Sequence, residues 1–77
     1  METITQIKTL SLAQLSARVG ESVRVADSLY DQVAGVARKG ATLNVASAGE
    51  GFVVLEDRHR NMWFIRGSIE VLVETTQ

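Results

Sequence analysis

Apolar residues concentrate in two segments near the C-terminal end of the chain, residues 52–55 and 62–65. A charged connector of six residues, residues 56–61, lies between them. Because neighbouring side chains of a strand point to opposite faces, this pattern predicts a β-hairpin that is apolar on both faces. A chain of 77 residues has little surface with which to cover both faces. We therefore expect the N-terminal segment or another molecule to cover part of the hairpin.

The pattern upstream predicts one helix, over residues 11–19. Ser11 and Gln14 have the spacing of a capping box, and Gly20 stands where a left-handed residue ends a helix. Three apolar side chains share one face of this helix: Leu12, Leu15 and Val19. At about nine residues the helix is marginal by itself, so it must pack against the rest of the chain.

Residues 1–10 leave two interpretations open. Ile4, Ile7 and Leu10 recur at every third position, which suits a helix. The threonines at positions 3, 5 and 9 favour an extended chain instead.

After Gly20 the apolar period changes to two and predicts five or six short strands. The expected strands are residues 23–25, 33–38, 43–45, 52–55, 62–65 and 69–74. Residues 27–32 are predicted to form a loop, residues 48–51 a turn and residues 66–68 a break. We expect a bulge or close approach at Gly35, inside the second strand.

These elements predict a mainly β protein that forms a single domain over residues 1–77. An N-terminal extension and helix, residues 1–20, would precede a small β-barrel of residues 21–74, because closure removes the exposed edges of a flat sheet. The alternative is a two-layer α+β arrangement with the helix on one face of the sheet.

Short motifs resemble two families of small barrels. Lys39-Gly40 followed by Leu43 and Val45 resembles a strand of SH3-like domains, and residues 29–31 resemble the leucine-tyrosine-aspartate start of eukaryotic SH3 domains. Residues 65–67, isoleucine-arginine-glycine, are similar to the motif that closes Sm-like RNA-binding barrels. The first likeness implies an SH3-like barrel. The second implies a ring of subunits in which Arg66 and Gly67 help to form a uridine pocket.

Composition narrows the classes of function. The chain has no cysteine and one histidine, so disulfides and thiolate metal sites are excluded and we expect neither a metal nor another cofactor. The net charge of −1 lacks the basic excess of a dedicated nucleic-acid binder. No apolar segment approaches the roughly 20 residues of a membrane span, and no secretory signal is visible, so we expect a cytoplasmic protein.

Catalytic chemistry has no supporting pattern. Glu56, Asp57 and His59 could act as acid–base groups only in a pocket that removes them from water. A hairpin connector is among the most solvated parts of a fold, so the sequence favours a charged turn and predicts a protein that is not an enzyme.

The favoured hypothesis is a small protein-binding module, of the kind found among accessory and inhibitor proteins, that binds a protein partner or a second copy of itself. Trp63 would share one strand face with Ile65, and Met62 the other face with Phe64. The predicted interface residues are Phe52, Met62, Trp63, Phe64 and Tyr30. The alternative is an Sm-like oligomer that binds RNA through basic residues: Arg58, His59, Arg60 and Arg66, with Gly67.

Overall fold

A computed structural model describes residues 2–76 of the chain and has one short helix and eight strands. The elements are β1 (Thr3–Leu10), α1 (Leu12–Ser16), β2 (Ser22–Arg24), β3 (Leu29–Asp31), β4 (Gly35–Ala37), β5 (Thr42–Gly49), β6 (Phe52–Glu56), β7 (Met62–Ile65) and β8 (Ile69–Thr76). The predicted class, mainly β with one short helix near the N-terminus, is confirmed.

The strands form three antiparallel units. The main sheet has the order β2-β5-β6-β7, β1 pairs with β8 along their whole lengths, and β3 pairs with β4. A single bridge between Val25 and Val71 joins the β1–β8 ribbon to the main sheet. The hydrogen-bonded ladders within residues 2–76 do not close into one continuous barrel.

The helix begins where the sequence predicts and ends earlier. The Ser11 hydroxyl accepts a hydrogen bond from the Gln14 N–H at 3.2 Å, and the Gln14 side chain accepts one from the Ser11 N–H at 2.8 Å. The helix stops at Ser16, and the following turn reaches Gly20 at φ +94°. The predicted range of residues 11–19 was too long, because the chain tightens into a turn in which the Arg18 N–H bonds to the Leu15 carbonyl.

The segment that the sequence left open, residues 1–10, is a strand from Thr3 onward. Its partner is β8, with Leu10 opposite Ile69 and Thr3 opposite Thr76. Pairing with a strand almost 60 positions away decides the conformation, which is why local periodicity did not settle it.

Several predictions between residues 27 and 51 differ from the structure. β5 continues to Gly49, so the predicted turn of residues 48–51 is confined to residues 50 and 51. The predicted loop of residues 27–32 contains β3, and the predicted strand of residues 33–38 starts only at Gly35, because residues 32–34 form the turn between β3 and β4. Gly35 has φ +84° and closes that turn, so it is not a bulge. The register shift of the main sheet lies instead between Val45 and Ser47 of β5.

The core lies between the main sheet, the helix and the base of the ribbon. Leu15 is fully buried and is the helix residue that enters the core. It belongs to one cluster with buried residues of the ribbon, the main sheet, β4 and the segment after β2: Leu10, Val23, Val25, Ala37, Leu43, Val45, Val53, Leu55, Trp63, Ile65 and Val71.

Candidate contact surface

The inner face of the β6–β7 hairpin belongs to the core. Leu55 lies opposite Trp63, Val53 lies opposite Ile65, and all four side chains are buried. The Trp63 indole N–H donates a hydrogen bond to the Gly35 carbonyl at 3.1 Å, which satisfies the polar atom of this ring. Trp63 is only 3% exposed, so its position removes it from the predicted interface set.

The opposite side of the hairpin, here called the outer face, carries Phe52, Val54, Met62 and Phe64. Phe64 is 49% exposed and Met62 is similarly accessible. The rings of Phe52 and Phe64 lie 5.9 Å apart between centroids, tilted by 39°, and Val54 is buried at the position opposite Phe64. The helix enters the core through Leu15, and Met62 and Phe64 of the outer face stay about half exposed within residues 2–76.

A glycine determines where the Phe52 ring lies. Gly49 is the last residue of β5 and pairs with Phe52, and a Cβ added at Gly49 would overlap the Phe52 ring. The ring therefore lies across the bare backbone of Gly49 and reaches Phe64. This packing gives the aromatic pair of the outer face a defined position.

The turn of residues 32–34 extends the apolar surface beyond the hairpin. Val33 is 97% exposed, and together with Ala34, Met62 and Phe64 it lines an open cleft of about 410 Å³. Charged and amide side chains form the rest of the lining: Asp31, Gln32, Arg60 and Asn61. Val33 was not predicted as a surface residue, because its position falls inside a predicted strand. Asp31 was the available signal for a turn there, because aspartate side chains often accept hydrogen bonds from backbone groups two residues further on.

Asp31 holds this turn in shape. Its carboxylate accepts hydrogen bonds from the N–H groups of Val33 at 2.9 Å and Ala34 at 3.1 Å. These two bonds, with a smaller contribution from the Phe64 N–H, hold the pKa of Asp31 below its ordinary value of 3.8. Asp31 lines the same cleft as Phe64, so this turn borders the outer face.

The connector of the hairpin is also well ordered. The Asp57 carboxylate accepts from the Asn61 side chain at 3.0 Å and from the N–H groups of Asn61 and His59, both at 2.9 Å. The Asn61 side-chain bond contributes most to lowering the pKa of Asp57, and the backbone bonds and the nearby His59 add to it. Arg60 adopts φ +67°, which lets the chain turn back into β7.

Tyr30 lies on the β3–β4 hairpin. It is 75% exposed and pairs with the exposed Val36 across the β3–β4 hairpin. Val36 lines a second cleft, of about 870 Å³, and not the cleft beside Phe64. The predicted interface residues are thus divided among the outer face, the core and the β3–β4 hairpin.

The basic residues predicted for nucleic-acid binding are likewise divided. Arg58 and His59 line the second cleft together with Arg38, which the sequence analysis did not select. Arg60 lines the cleft beside Phe64. Arg66 and Gly67 follow the far end of β7, whose four residues at about 3.3 Å each separate them from the connector. Arg66 and Gly67 therefore lie at the opposite end of β7 from the connector residues Arg58, His59 and Arg60.

Within residues 2–76 no charged or polar side chain is buried, and no three His, Cys, Asp or Glu side chains are grouped closely enough to hold a metal ion. The chemistry of the described surface is that of apolar contacts and solvated charges.

Comparisons with protein-family models, curated proteins and solved structures give no match to this chain. Among the described residues, no helix has the length and apolar character needed to cross a membrane.

Proposed function

We propose that this protein acts by binding another protein through its outer face, without catalysing a reaction. The observation that carries the proposal is the exposure of Met62 and Phe64 on a strand whose opposite face is fully used by the core. Exposed aromatic and methionine side chains that lie together are typical of the buried centre of protein interfaces.

The shape of the surface supports a contact with a protruding side chain of a partner. The apolar Val33 and Phe64 line the cleft beside the hairpin, and the charged Asp31 and Arg60 line it as well. An apolar centre with a charged rim is the usual anatomy of such an interface.

The local hydrogen bonds support the proposal in a second way. Asp57 holds the connector and Asp31 holds the turn at Val33, so both flanks of the outer face are fixed before a partner arrives. Fixed contact residues lose little conformational entropy on binding, which favours affinity. A small protein of this design suits an accessory or inhibitor role, in which occupancy of a partner's surface is the whole activity.

A charge on the outer face tests the proposal. Phe64→Glu should reduce capture of the natural partner, from extracts of cells that express the protein, by at least about tenfold, because a carboxylate would be desolvated in an apolar contact. Val19→Glu is the matched control, since Val19 is 48% exposed and lies on the turn after the helix. Equal loss of capture with both variants, while both remain folded, would contradict the proposal.

The second cleft supports a second candidate function, binding of a nucleic-acid strand. Arg38, Arg58 and His59 line it together, and arginine forks bind phosphate groups well. Asp57 lies in the same lining and offsets part of this charge.

Fluorescence anisotropy with a labelled uridine oligomer tests this candidate at several salt concentrations. Arg58→Ala should weaken binding and lower its salt dependence if the second cleft is used. Arg66→Ala should do so if the Sm-like pocket is used instead. Absence of salt-dependent binding to the unmodified protein would rule out both.

A further inference from the structure

The β1–β8 ribbon carries a long strand edge, along β1, that pairs with no other strand in residues 2–76. β1 has eight residues, and all of them from Thr5 to Thr9 are exposed. Ile7 is 61% exposed at the position opposite Leu72. An isolated two-stranded ribbon is marginally stable in water, so a further strand along β1 would stabilise it.

The hydrogen bonds of β8 show which backbone groups of β1 are directed outward. The Ala26 N–H donates to the Glu70 carbonyl at 2.9 Å, so the backbone groups of Glu70 are directed away from β1. Groups alternate along a strand, so those of Val71 and Val73 are directed toward β1, where Lys8 and Gln6 are their partners. The open edge of β1 is therefore formed by the N–H and C=O groups of the odd-numbered residues Thr3, Thr5, Ile7 and Thr9.

Several other strand edges in the described chain have contacts with neighbouring elements. The Val25–Val71 bridge joins the end of β2 to β8, and the Arg24–Glu74 ion pair at 3.1 Å lies along the same side of β8. On the far side of the main sheet, β7 is approached by Gly35 through the Trp63 bond. β1 has none of the usual protections of an edge, since it contains no proline, glycine or bulge and a single charge, Lys8.

We infer that β1 pairs with β1 of a second copy of this chain, antiparallel and across a two-fold axis at Thr5. The backbone N–H and C=O groups of the odd-numbered residues are directed outward. Only registers in which odd-numbered residues of the two copies face each other are therefore possible. In the register centred on Thr5, Thr3 faces Ile7 of the second copy. Glu2 then lies opposite Lys8 of the second copy on both sides of the axis.

Charge complementarity selects this register among its neighbours. Centring on Ile7 would place Lys8 opposite Gln6, and centring on Gln6 would place it opposite Ile4. The Thr5 register is the one that sets the acidic residue before β1 against the basic residue within it, twice by symmetry. The result is a four-stranded sheet, β8-β1-β1-β8, that spans both copies and leaves the outer face of each hairpin free.

Sedimentation analysis over a range of protein concentrations tests the inference. The mass of the unmodified protein should rise from 8.4 kDa toward twice that value as concentration increases. Thr5→Pro removes an outward N–H without removing a β1–β8 bond, so it should leave a folded monomer. A chain that stays at 8.4 kDa up to its solubility limit would overturn the inference.

Exchanging the charges of Glu2 and Lys8 tests the register without a proline substitution. Lys8→Glu and Glu2→Lys should each raise the dissociation constant roughly tenfold, because like charges then face each other twice. The double variant Glu2→Lys/Lys8→Glu should restore the original constant. Absence of rescue would overturn the Thr5 register, and loss of the dimer in Phe64→Glu would show that the copies meet at the outer face instead.

Discussion

The two faces of the β6–β7 hairpin have similar side chains and different surroundings. Trp63 and Ile65 alternate along β7 with Met62 and Phe64, yet the first pair is buried and the second is about half exposed. The difference comes from elements distant in the sequence, namely the helix that buries Leu15 and the turn that supplies the Gly35 carbonyl. Apolar character alone therefore does not distinguish the two faces, and the rest of the fold determines which of them is buried.

The largest expected effect comes from replacing, in separate variants, the aromatic residue on each face of β7. Trp63→Ala should cost about 3–5 kcal/mol, because it leaves a cavity and removes the donor to the Gly35 carbonyl. That is comparable with the whole stability expected of a domain of this size, so the variant should be largely unfolded. Phe64→Ala should cost about 1 kcal/mol, since half of the ring is already in water.

Urea titration followed by circular dichroism measures both changes. Equal losses of stability in the two variants would contradict the assignment of one face to the core and the other to solvent.

A smaller effect is expected on the pH dependence of stability, through Asp57 in the connector of the hairpin. The pKa of Asp57 is lowered in the folded protein, so its stabilising effect is present above the ordinary value of 3.8 and is lost as the pH falls through the lowered value. Asp57→Asn should therefore lower the thermal midpoint by a few degrees near neutral pH and by almost nothing at strongly acidic pH.

Thermal unfolding of both proteins across this pH range checks the expectation. Asp31 also has a lowered pKa, and it affects the two proteins equally, so it cancels from their difference. A difference that grows as the pH falls would show that the Asp57 carboxylate is not stabilised by its bonds to Asn61 and His59.

The smallest expected effect concerns the position of the Phe52 ring on the outer face. Gly49→Ala should move the Phe52 ring, because the added methyl group would occupy its place. Stability should change little, since a half-buried ring can move at modest cost. Ring-proton shifts of Phe52 and Phe64 should change together in NMR spectra, and unchanged shifts would mean that the ring does not lie over Gly49.

Local chemistry in the sequence predicts the elements whose determinants are neighbours in the chain. The Ser11–Gln14 capping box, the left-handed Gly20 and the hairpin around the charged connector all depend on residues a few positions apart. The capping box and the hairpin were predicted in their correct places. Gly20 is left-handed as predicted, but the helix ends earlier, with Ala17 as its C-cap.

Elements that depend on distant residues could not be assigned in this way. β1 became a strand because β8 pairs with it, and β3 is a strand because β4 folds back on it after the Asp31 turn. The choice between Trp63 and Phe64 for the core needed the Gly35 carbonyl, 28 positions away. The sequence therefore predicted three residues of the candidate surface, Phe52, Met62 and Phe64. It did not predict Val33.

Site-specific photo-crosslinking tests the central claim most directly. A photoreactive phenylalanine analogue would replace Phe64 in one protein and Val19, which has nearly the same exposure, in another. Irradiation in cells that express the protein should give a discrete adduct with a protein partner from position 64 and none from position 19. Adducts of equal yield from both positions, or an adduct from position 19 alone, would contradict the account.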